Sequence, residues 1–72
     1  MIKERDIGTR IRDLRKDAEL SQEALACRAD LSLNGVALLE QGRQTDPRIS
    51  TVHRLADALG VSIQRLLGLE EA

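Results

Sequence analysis

Ser21–Gly42, SQEALACRADLSLNGVALLEQG, is the stretch whose reading decides the fold. Ser21 and Ser32 each precede an apolar-periodic run, where a hydroxyl side chain accepts a hydrogen bond from the unpaired N–H groups of a first helical turn. Glu23 places a favourable charge in the turn after Ser21. Leu25 and Ala29 lie one helical turn apart, and Val36 and Leu39 lie three apart on the second run. Between the runs the turn is Asp30-Leu31, with Leu31 filling its inside. Gly42 closes the second helix in the left-handed region, where a missing Cβ removes the steric penalty. Ala26 is small where two helices must approach closely. Helices this short bury such a set only by crossing steeply, the helix-turn-helix arrangement.

Working outward, the flanking segments agree with a wholly helical chain. Asp6 is placed to cap a helix over about residues 6–17, in which Ile7, Ile11 and Leu14 form one apolar stripe. Arg10, Arg12, Asp13, Arg15 and Lys16 fall on its wet faces, and the basic residues near its end suit the negative pole of the helix dipole. Residues 43–47 are polar, and Pro47 prevents continuation of a helix. A fourth helix is predicted over Ile49–Leu59, with Val52, Leu55, Ala56 and Leu59 inward and Gly60 as its stop. Ser62 caps a short fifth helix over Ile63–Leu67, ended by Gly68, and the tail from Leu69 to Ala72 is expected to fray. There is no repeat, no low-complexity segment and no period-two pattern. The fold class expected is all-α, a compact five-helix single domain spanning residues 1–72 with an ordered core over about 6–68.

Composition narrows the function classes. A chain of 72 residues buries only about 60% of the surface it exposes when unfolded. Its 42% hydrophobic and 32% charged residues suit a globular protein. Phe, Tyr and Trp are all absent, so the core is aliphatic and no Phe, Tyr or Trp ring is available to stack on bases, which argues against a single-strand or RNA platform. The formal net charge of −1 does not by itself signal nucleic acid. Local distribution matters more: Arg43 and Arg48 lie together just beyond the motif. One cysteine, Cys27, forms no internal disulfide and points to a reducing compartment. The start, MIKERDIG, lacks the apolar run of a signal peptide, and no apolar stretch approaches the roughly 20 residues needed to span a bilayer. A cytoplasmic location with no membrane contact is expected. Cys27 and the remote His53 do not make a structural metal site, and no phosphate-cradling glycine loop is present. No catalytic residue, metal or cofactor is expected, and the chain is not read as an enzyme.

The pieces IGTRIRDLRKDAELSQEALACRADLS, VALLEQGR and DPRISTVHRLADALGVSIQRLLG together resemble the phage-repressor-like helix-turn-helix domains, the lambda repressor/Cro or XRE type. The resemblance runs from Ile7 to Gly68. It implies double-stranded DNA as partner, with helix 2 supporting and helix 3 entering the major groove. It implies that Gln22, at the start of helix 2, clamps the DNA backbone, its amide donating to a phosphate oxygen. Ser32, Leu33, Asn34 and Gly35 correspond to the base-reading edge, and Ala37 and Leu38 to its next turn. Arg43 and Gln44 correspond to loop residues that touch the backbone. Arg15 and Glu40 correspond to a structural ion pair between helices 1 and 3.

The chain departs from the family pattern in three places. Asp30 stands at the turn position usually held by Gly. Gly35 lies inside helix 3, where it costs about 1 kcal/mol relative to Ala. Leu33, Gly35, Ala37 and Leu38 stand where polar side chains usually meet bases. Of that edge only Asn34 offers a bidentate amide, which suits adenine, while leucines pack against thymine methyls. Leu33 and Leu38 have two further readings: burial by a protein partner, or simple exposure as single surface leucines.

The leading expectation is a sequence-specific transcriptional regulator, of repressor type, acting as a homodimer on a pseudo-palindromic site. Ile63, Leu66, Leu67 and Leu69 are the candidate dimer residues, since one short helix does not bury them all inward; the alternative is that they close the bottom of the core. Two other readings use the same fold: a protein-interaction module that is antitoxin-like or binds a regulator, and the N-terminal fragment of a longer regulator.

Overall fold

The computed structural model describes residues 7–69. The Asp6 cap and residues 70–72 of the tail lie outside them. The described chain forms α1 (Ile7–Asp17), α2 (Gln22–Ala29), α3 (Leu33–Glu40), α4 (Ile49–Leu59) and α5 (Ile63–Leu67). The three serine caps form as the sequence requires. Ser21 Oγ accepts from the Ala24 N–H at 3.0 Å, Ser32 Oγ from the Gly35 N–H at 2.9 Å, and Ser62 Oγ from the Arg65 N–H at 3.1 Å. Gly42, Gly60 and Gly68 all adopt positive φ at their helix ends.

Asp30 takes the left-handed conformation (φ 58°, ψ 45°) at the end of α2, so the turn keeps its geometry without the usual glycine. Its strain, about 1–2 kcal/mol for an L-residue, is accepted because the turn is fixed on both sides. The Leu31 N–H donates to Ala26 O at 2.8 Å, and the Leu31 side chain packs on the core. Glu19 is a second non-glycine residue at positive φ (60°), and it turns the chain between α1 and α2. No glycine or asparagine in the sequence marks that turn.

The core is aliphatic throughout. Ile11 of α1, Leu25, Ala26 and Ala29 of α2, Val36 and Leu39 of α3, Val52, Leu55, Ala56 and Leu59 of α4, and Leu66 of α5 are all buried. Around this core α2 packs on α3 and α4, α1 packs on α3 and α5, and α4 packs on α5. Ridges this small let backbones approach: a Cβ built on Gly8 would overlap the Leu39 carbonyl oxygen of α3.

One expectation is corrected. Leu66 is fully buried and belongs to the core, so it is not available as a dimer contact. Ile63 is partly buried against the same core. At five residues, α5 puts a single side chain deep in the interior, and its position between α1 and α4 selects Leu66. Leu67 and Leu69 stay exposed, at 38% and 70%.

Candidate nucleic-acid interface

The site is built on how α3 is held. Glu40, in the last turn of α3, receives two hydrogen bonds from one guanidinium: Arg15 Nε donates to Oε2 at 2.7 Å and Arg15 Nη2 to Oε1 at 3.0 Å. Arg15 Nη1 donates to Leu20 O at 2.8 Å, which fixes the α1–α2 link to the same group. Gln22 Nε2 then donates to Glu40 Oε1 at 3.1 Å. A carboxylate only accepts, so the amide nitrogen of Gln22 must be the atom facing it. One cluster therefore ties α1, the start of α2 and the end of α3 together. The two charged side chains are 12% and 3% exposed, so water screens the pair little.

The protonation of the pair follows from this arrangement. Burial pushes the Glu40 carboxyl up, but the hydrogen bonds from Arg15 and Gln22 and the charges of Arg15 and Arg12 outweigh it, and its pKa lies below the ordinary carboxylate value. The hydrogen bond to Glu40 raises Arg15 above its ordinary value, against a smaller loss from burial. The ion pair stays formed at all physiological pH values.

The outer side of α3 is different. Ser32, Leu33 and Asn34 are exposed, and Leu33 keeps 44% of its surface in water. Ala37 and Leu38 are half-buried. Leu38 forms part of a cleft of about 370 Å³ with Ser32, Gly35, Gln44, Pro47 and Arg48. Thus Ser32, Leu38 and Gln44, separate in sequence, share one surface feature. Leu38 is less available to a partner than its place in the sequence implies. The Arg43 and Gln44 N–H groups both donate to Leu38 O, at 3.0 and 3.2 Å, folding the loop back on the end of α3. Gln44 Oε1 accepts from the Asp46 N–H at 3.1 Å, so its oxygen shapes the loop while its amide nitrogen is left for other contacts. The side chains of Arg43, Gln44 and Arg48 are exposed.

Two features of the site escape the sequence pattern. Gln22 is not an isolated surface amide but a partner of Glu40, a contact across 18 positions that no local spacing signals. Gly8 admits α3 to within backbone contact of α1; a glycine in the first turn of a helix with no turn to make was the only available sign. Cys27 and His53 are exposed. No helix among the described residues is long and apolar enough to cross a membrane.

Two short crossed helices joined by a left-handed turn, the second braced at its end and exposed at its start, define a helix-turn-helix domain. Residues 6–67 match the family model of the helix-turn-helix domain. The chain is 38% identical over 64 residues to the immunity repressor protein of Bacillus phage phi105, an alignment covering 89% of this chain and 44% of the repressor. Among solved structures, it superposes on the restriction-modification controller protein C.AhdI from Aeromonas hydrophila with a TM-score of 0.81 at 33% identity, covering 85% of this chain and 91% of that one. It superposes equally on SinR, the master regulator for biofilm formation, in a complex with DNA: TM-score 0.81, 32% identity, 83% of this chain and 95% of that one. The chain belongs to the helix-turn-helix family of DNA-binding transcriptional regulators and has the phage-repressor-like fold. It spans less than half the length of the phage repressor that it matches.

Proposed function

We propose that this chain binds double-stranded DNA by laying the exposed start of α3 in the major groove, with Gln22, Arg43 and Gln44 on the phosphates. The observation that carries this reading is the Arg15–Glu40–Gln22 cluster. It braces α3 from behind, and the bond to Glu40 uses one of the two amide hydrogens of Gln22 and fixes the direction of the other. A side chain so oriented loses little further freedom on meeting a phosphate. Occupancy of DNA is the act such a domain offers, which favours a repressor-type regulator working in the cytoplasm.

A single recognition helix covers few base pairs, so we also propose that two copies pair on a two-fold site. Leu67 and Leu69, both exposed, and the partly buried Ile63 remain in the dimer set. Leu67 lies with Ile7, Pro47 and Ile49 around a surface cleft, and Ile49 is 64% exposed. Sedimentation at micromolar concentration should show a dimer for the wild type and a monomer for Leu67→Glu. Monomers in both would remove the pairing.

The test of docking is affinity for random and selected duplexes across a salt series. The reading requires a steep fall in affinity with salt and a preferred sequence. Absence of duplex binding at low salt would overturn it, and burial of Leu33 by a protein partner would replace it.

A further inference from the structure

The exposed start of α3 carries a leucine where the groove of a duplex would meet it. Leu33 is the first residue of α3 and, with Ile49, Leu67 and Leu69, one of the large apolar side chains left exposed among the described residues. Its neighbours offer little else. Gly35 has no side chain, and a Cβ added there would approach only Ser32 Oγ. Leu38 is half-buried in the cleft, so Leu33 and Asn34 are the exposed side chains in the first turn of α3. No charged residue occurs in α3 before Glu40, and Glu40 is committed to Arg15 and Gln22.

We propose, resting on the docking reading above, that Leu33 is a specificity-determining residue that recognises a thymine through its 5-methyl group. The argument is one of exclusion at the base edge. In the major groove guanine presents two acceptors and cytosine an amino donor, whereas thymine alone presents a methyl group. An isobutyl side chain pressed on a G·C edge strips water from those polar atoms and returns no hydrogen bond, which is costly. Against a thymine methyl the same side chain removes two apolar surfaces from water at once. Asn34, the next residue, carries an amide whose donor and acceptor match adenine N7 and the N6 amino group. Leu33 and Asn34 together select adjacent A·T pairs in each half-site.

The experiment starts from the duplex that wild-type protein selects from a random pool. Each thymine is replaced singly by deoxyuridine, which removes the methyl and leaves every hydrogen-bonding group in place. Burial of one methyl is worth about 0.8 kcal/mol, so one thymine per half-site should lose about fourfold in affinity when demethylated. In Leu33→Ala that position should become indifferent to the methyl, while the salt dependence stays unchanged. Thermal melts of the two proteins confirm that both are folded; Leu33 is exposed, so its truncation removes no core contact. Duplex binding without any methyl-sensitive position, or the same methyl loss in Leu33→Ala, overturns the role of Leu33 and leaves the docking reading intact. No duplex binding at low salt overturns both.

Discussion

The two faces of α3 follow opposite rules. On the inner face Val36 and Leu39 are 0% and 3% exposed, and the carboxylate of Glu40 is bonded to Arg15 and Gln22. On the outer face Leu33 and Asn34 stand in water, and Gly35 contributes no side chain. A helix of eight residues is too short to hold itself in place, since isolated helices of that length are unstable in water. Its position is set from behind, by burial and by a charged cluster. The side chains of Leu33 and Asn34 lie outside the core and are thereby free to be chosen for what they meet. The difference teaches that position and recognition are separable here, one on each side of a single helix.

That separation is open to direct attack: changes behind the helix should register in folding, and changes in front of it only in binding. The largest effect is expected for Leu66→Glu. A carboxylate forced into the core must be desolvated without a partner, a penalty of several kcal/mol that is comparable with the whole stability of a small domain. Circular dichroism should show loss of helix at 25 °C; a folded monomer would return Leu66 to the surface.

Next comes Glu40→Gln, which keeps the shape of the cluster but leaves the Arg15 charge uncompensated. The pair is part-buried, so the loss falls between the roughly 1 kcal/mol of a surface pair and the about 3–5 kcal/mol of a fully buried one. The pH dependence has a definite sign. The folded carboxyl titrates below its ordinary value, so its stabilisation is complete above the unfolded value of about 4.3 and drains away as pH falls through the lower folded value. Urea midpoints measured between pH 7 and pH 3 should fall at the acid end for the wild type and fall less for Glu40→Gln.

Gly8→Ala follows, at about 1–3 kcal/mol, because the added methyl must push α1 off the Leu39 carbonyl. An unchanged melting temperature would mean that the two helices separate without cost. On the outer side, Asn34→Ala should leave the melt unchanged and relax preference at one base pair by about 1–3 kcal/mol in a selection experiment. The smallest effect belongs to Arg43→Ala, which should weaken all duplexes alike and lower the salt slope by about 1. A sequence-dependent loss there would place Arg43 on a base and blur the boundary between the two faces.

Much of the frame was legible because it rests on local rules. Ser21, Ser32 and Ser62 cap helices because a hydroxyl at that spacing reaches an orphan N–H, and the inward stripes of α2, α3 and α4 follow from helical periodicity. The Arg15–Glu40 pair came from resemblance to the family, not from spacing, since the two residues are 25 positions apart. Leu66 was misplaced for a related reason. Ile63, Leu66, Leu67 and Leu69 are all large and aliphatic, and periodicity along five residues of α5 does not say which of them meets the core. The left-handed turn at Glu19 left no trace, because its conformation is imposed by the helices on either side.

By itself, the sequence determined the number and order of the helices among the described residues and the ends of α2 to α5, the aliphatic identity of the core, and the apolar character of the outer edge of α3. Each of these depends on residues within a few positions of one another. Only the tertiary structure decided that Leu66 is interior, that Leu38 is half-buried and shares a cleft with Gln44 and Pro47, and that Gln22 is bonded to Glu40. Those outcomes depend on where α1, α3, α4 and α5 come to rest against one another. Close packing of small aliphatic side chains settles those distances, and no spacing along the chain encodes them.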